Sequence, residues 1–141
     1  MLDNLRKYQQ IEQLHPDNIH LEACITISLL NVYYVKDYIQ FFHSMGIHCG
    51  INIVHRPDYL NLRIAPARVK QAIIDHLNLQ PFRSDAWNDK IKNIIKFIEL
   101  DFANADELML QFWDFTNKYD MLRGQSYADT FPEFYKVLIN E

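Results

Sequence analysis

Cysteine is nearly absent. Cys24 and Cys49 are the only two in 141 residues, too few for a disulfide framework and outside any CxxC or CxxxCxxC spacing. The chain therefore lacks the thiolates of an iron-sulfur cluster or a structural zinc site. Two free thiols fit a reducing compartment, and a cytoplasmic location is expected. Glycine and proline are scarce, at three and five, and no tract is biased enough to be disordered or of low complexity. Long apolar runs are missing as well. The N-terminal MLDNLRKYQQIEQL is polar and helical in pattern rather than signal-like, so neither a membrane span nor a secretory leader is expected. Positive charge is in deficit: a formal charge of −4 and a pI near 5.8 supply no field to gather phosphates, which makes nucleic acid an unlikely partner. No Ser/His/Asp triad, P-loop, dinucleotide fingerprint or paired-carboxylate motif occurs. The expected catalytic residues are none, and the expected metal ligands are none.

What the chain does have is apolar surface for a core, 49 % of its residues being hydrophobic. Leu5, Tyr8, Ile11 and Leu14 form a stripe on a helix before the His15-Pro16-Asp17-Asn18 turn, and that stripe needs a partner surface. The β-branched run from Ile19 to Leu30 predicts a strand ending near Asn31. An amphipathic helix follows, carrying Tyr34, Val35, Tyr38, Ile39, Phe41 and Phe42, with Gly46 placed to end it. His48 to Val54 reads as a second strand, stopped at Arg56-Pro57. Strand, helix and strand make a βαβ crossover, whose strands must be parallel. Then come a loop, DYLNLRIA, in which Leu60 to Ile64 alternate as a third strand would, and a helix opened by Pro66 that carries Val69, Ile73, Ile74 and Leu77.

Beyond Pro81 the pattern is helical. Ser84 is placed to cap a helix bearing Trp87, Ile91, Ile94, Ile95 and Ile98, and Asn104 to cap another through Phe112, Trp113, Phe115 and Tyr119 to Gly124. The two are expected to form a hairpin, with their aromatic residues in the core. In the tail, Thr130 is expected to cap a last helix, with Pro132 in its first turn and Glu133 bonding back to the Thr130 amide, while Arg123 bonds helix-end carbonyls. Two parallel strands cannot bury both faces and both edges. The order of elements thus suggests the closing repeats of a longer (βα) series, with Met1 an internal methionine or a late start. Residues 1–80 would hold the closing βα units and 81–141 a helical extension packed on them.

Three stretches, ITISLLNVYYVKDYIQFF, INIVHRPDYLNLRIAPARVKQAI and FTNKYDMLRGQSYADTFPEF, resemble the C-terminal part of radical SAM enzymes, in particular the twitch-domain or SPASM-like group of phages and marine bacteria. The resemblance spans about residues 5 to 138. It implies an α/β fold in which these strands are the last two parallel βα units of a partial TIM-like (βα)6 barrel, followed by a C-terminal helical extension. It also implies a full-length parent that binds S-adenosylmethionine and a 4Fe-4S cluster. The chain departs from the family in lacking the CxxxCxxC loop, so no cofactor is expected on this chain alone and it would not be catalytic alone. Barrel enzymes place their chemistry at the carboxyl ends of strands. In the resembled fold that puts Asn31 and His55 beside the cofactor and Arg56 beside a carboxylate or phosphate of the substrate. Thr26, Ser28 and Asn52 are read as structural, and His43, His48 and Cys49 match no familiar ligand spacing.

Two functions are carried forward: the adenine and substrate side of a radical SAM barrel, or a non-catalytic protein-interaction module derived from that fold, with phages among its expected sources. The expected partners are the missing N-terminal barrel half or, failing that, further copies of the chain through exposed strand edges.

Overall fold

A computed structural model describes residues 2–139; Met1, and with it the reading of Met1 as a start or an internal residue, lies outside the described residues. The chain is mixed α/β and mostly helical, and among the described residues the strands form a single two-stranded sheet. Helix α1 spans Leu2–Leu14, strand β1 Glu22–Ile27, helix α2 Val35–Ser44, strand β2 His48–Ile53 and helix α3 Ala67–Asn78. Helices α4 Asp85–Glu99, α5 Ala105–Arg123, α6 Tyr127–Thr130 and α7 Pro132–Ile139 follow. The strands are parallel, as the crossover requires, pairing Glu22 with His48 through Ile27 with Ile53. The predicted first strand is shortened at both ends, because Ile19 N bonds back to His15 O and Leu21 N to the Glu12 carboxylate, and Ser28 to Asn31 form a tight loop.

One face of the sheet is covered. Ile25, Ile27 and Leu29 meet Val35 and Ile39 of α2, and the same core continues through Leu62, Ile64, Val69, Ile73, Ile91, Ile98, Phe112 and Phe134. The helices after residue 80 thus share one apolar core with the βαβ unit. DYLNLRIA, read as a loop, forms two 3-10 turns, Asp58–Leu60 and Leu62–Ile64. Asn61, almost fully buried, holds the second by accepting from the Arg63 amide at 3.0 Å. Leu62 and Ile64 then point into the core instead of alternating along a strand.

Helix ends are closed mostly from a distance. Lys36 of α2, 7 % exposed, donates to the carbonyls of Leu77, Leu79 and Gln80 at the end of α3. Lys70 of α3 donates to Leu100 O beyond α4 at 2.9 Å, and Arg68 donates to Val137 O and Leu138 O of α7 at 2.7 and 2.9 Å. Cations at helix C-termini satisfy orphan carbonyls and oppose the helix dipole.

Several local expectations need correction. Ser84 and Asn104 stand at the N-caps of α4 and α5, but neither side chain bonds the helix, and Asn104 is left-handed at φ 56°. Helices α4 and α5 each pack on the Leu62–Ile64 turn. Thr130 does not cap the last helix. It belongs to α6, its hydroxyl donating to Ser126 O at 2.8 Å, and Ser126 caps that helix, accepting from Asp129 N. Arg123 lies over the Tyr119 ring instead of bonding carbonyls. The α1 stripe remains open: Tyr8, Ile11 and Leu14 are exposed, Leu14 by 74 %. The helix is instead tethered by its polar side, Gln9 to Met45 O at 2.6 Å and Glu12 to Leu21 N at 2.7 Å.

Candidate functional site

The register of the sheet decides where each strand residue points. Ala23, Ile25 and Ile27 share the helix-covered face with Cys49, Ile51 and Ile53. Glu22, Cys24, Thr26, His48 and Asn52 share the other face and are exposed. That bare face is polar: His48 Nδ1 lies 3.2 Å from Glu22 Oε1, and Asn52 Nδ2 donates to Cys24 Sγ at 3.0 Å. Ser28, expected with Thr26 and Asn52, is instead buried at the strand's end.

The two thiols therefore stand on opposite faces, Cys24 exposed and Cys49 buried. Burial pushes the Cys49 thiol above its usual range, which leaves it unreactive. No single cluster can be held by both, and an iron-sulfur centre held by three thiolates does not fit this chain. Among the described residues no group of three or more His, Cys, Asp or Glu converges as a metal site.

At the carboxyl end of the sheet, Val54 N donates to Ile27 O at 2.8 Å and Leu29 N to Leu60 O at 3.0 Å, holding the loops after both strands side by side. Asn31 sits there with its amide engaged. Its Oδ1 accepts from Ser28 N at 2.9 Å and its Nδ2 donates to Thr26 O at 3.1 Å. Because Ile27 O faces β2, the backbone groups of Glu22, Cys24 and Thr26 face the outer edge of β1. The Asn31 amide thus occupies the end of that edge as a peptide group of a neighbouring strand would. Farther back, the outward groups of Glu22 and Cys24 have no backbone or side-chain partner among the described residues. The outer side of β2 differs, since Lys90, Asn93 and Ile94 of α4 border a recess against Gly50, Ile51 and Ile53.

His55 and Arg56 are both exposed. The His55 ring stands edge-on to Phe97 at 5.2 Å, and its carbonyl accepts from Asn61 Nδ2 at 3.4 Å. Arg56 precedes Pro57 through a cis peptide and forms no ion pair among the described residues. The three predicted residues share one end of the sheet, with no hydrogen bond joining them.

Beside that end lies a cleft of ≈ 350 Å³ formed by the last turns of α5, by α6 and by Leu30. Tyr127 is its floor, the hydroxyl donating to Leu30 O at 2.7 Å; burial pushes this phenol well above its ordinary range. Phe115 and Tyr119 form one wall, 4.4 Å between centroids, and Phe131 packs on Tyr127 at 5.3 Å. Asp120 and Arg123 stand at the rim. The sequence reading assigns Phe115 and Tyr119 to the core, yet Tyr119 is 39 % exposed. Helical spacing marks these rings as apolar without telling which of them face a gap; the nearest sequence signal was the Arg123-Gly124 end of α5 followed by the Ser126-x-x-Asp129 cap. No family model, curated protein or solved structure matches the chain.

Proposed function

We propose that the chain is a non-catalytic interaction module whose two-stranded parallel sheet is completed by a strand from another polypeptide. The observation that carries this reading is the outer edge of β1, where the backbone groups of Glu22 and Cys24 are unpartnered beside a bare polar face. Unpaired edges are templates for strand addition. Two free thiols, one of them exposed, are consistent with a reducing, cytoplasmic setting. In the absence of a partner, copies of the chain should pair through β1. Light scattering with hydrogen exchange tests this: a concentration-dependent dimer or larger species with slowed exchange at Glu22 and Cys24 is expected. A monomer at high concentration whose β1 amides are already protected would overturn the reading, because the edge would then be closed from within.

A second reading keeps the resembled family. The chain would be the C-terminal portion of a radical SAM enzyme, its strands the last two of a partial (βα)6 barrel, with Asn31 and His55 toward the cofactor and Arg56 toward the substrate. What favours it is that the parallel pair carries helices on one face only, as the strands of a (βα) barrel do. The thiols here do not fit the cluster, so the CxxxCxxC loop would belong to another segment. Co-expression with a cluster-bearing barrel half distinguishes the readings. A one-to-one complex that binds S-adenosylmethionine supports the enzyme, and failure to associate while self-association persists leaves the module.

A further inference from the structure

We infer that the cleft between α5, α6 and Leu30 is a binding site for an aromatic α-amino acid. Asp120 and Arg123 stand one turn apart on α5, where opposite charges are neighbours, with roughly 5–6 Å between Cβ atoms. They do not pair. Asp120 turns one carboxylate oxygen to Tyr127 N at 2.6 Å, leaving the other for a ligand. Arg123 lies over the Tyr119 ring at 5.3 Å from its centroid, its charge without an anionic partner among the described residues. An anion alone would satisfy Arg123 and face Asp120; a cation alone would do the reverse. The ammonium and carboxylate of one α-carbon engage both charges at once.

The space behind the charges is aromatic. Phe115 and Tyr119 make one wall and Phe131 stands across from them on the Tyr127 floor, a setting for an offset-stacked or edge-on ring. The volume of ≈ 350 Å³ suits a small ligand. The cleft also lies beside the carboxyl end of β1, where α/β sheets commonly bind ligands. It shares no residue with the open edge of β1, so this site and strand addition stand or fall separately.

The test is a ¹⁵N NMR titration of the full chain with L-phenylalanine, with phenylacetate and phenethylamine as single-charge controls. Shifts confined to Tyr119, Asp120, Arg123 and Thr130 are expected, with the amino acid binding at least tenfold tighter than either control. Arg123→Gln and Asp120→Asn should each weaken it at least tenfold. The second substitution keeps an acceptor for the Tyr127 amide, and an unchanged spectrum elsewhere shows that the fold is kept. Equal binding of the three compounds, shifts outside the cleft, or no shifts in a chain with a dispersed spectrum would overturn the assignment.

Discussion

Tyr127 joins the tail to the sheet through one hydrogen bond to Leu30 O, made from a ring only 6 % exposed. Tyr127→Phe keeps the ring and leaves that carbonyl without its donor, so a loss of about 1–2 kcal/mol is expected in urea unfolding. The burial of this phenol also sets a pH dependence. Burial raises the folded-state pKa of Tyr127 above its ordinary 10.0. A raised folded pKa contributes stability that is complete below the unfolded value and is lost as pH climbs toward the folded one. The urea midpoint should therefore fall as pH rises past 10, and less steeply in Tyr127→Phe; a midpoint flat through that range would contradict the assignment. Lys36 is a second such residue. Replacing it with Met preserves bulk but uncaps three carbonyls at the end of α3, at an expected cost of roughly 2 kcal/mol, measurable by thermal or urea unfolding. Neither role is visible in the sequence, because each joins positions far apart in the chain.

At the scale of elements, β1 is where a single side chain decides what the sheet does next. Asn31→Ala should release Thr26 O and Ser28 N, costing about 1 kcal/mol. It should also speed exchange of the Ser28 amide in the monomer and lengthen the open edge, so that self-association strengthens. Unchanged exchange at Ser28 would show that the Asn31 amide does not hold that edge. The strands, their parallel sense and the helices of the βαβ unit were legible because apolar periodicity reports burial directly. Less legible were features decided by competition among polar groups. Asn61 bonding Arg63 turned an alternating LNLRI into a 3-10 turn. Ser126, two residues after Gly124, caps a short helix of its own, α6, which takes Thr130 into its last turn. The bonds of the Asn31 amide to Ser28 and Thr26 are of the same kind, and no periodicity signals them.

For the whole molecule, one apolar core unites the βαβ unit with the later helices, while the sheet they cover is finished on one side only. Composition foretold the core, but it could not foretell that the stripe of α1 would be left exposed while the polar side of that helix made the attachments. The placement of the two thiols on opposite faces of the sheet has a practical consequence. Cys24 and Cys49 form a native accessibility gauge that needs no engineered label. In the folded chain a maleimide should modify one sulfur quickly, at Cys24, and reach Cys49 only on unfolding, as peptide mass mapping would record. Any strand or barrel segment that docks on the bare face must slow the first reaction directly, and slow the second only as far as binding lowers the unfolded population. Alkylation kinetics thereby separate occupation of the sheet from global loss of structure in a single experiment.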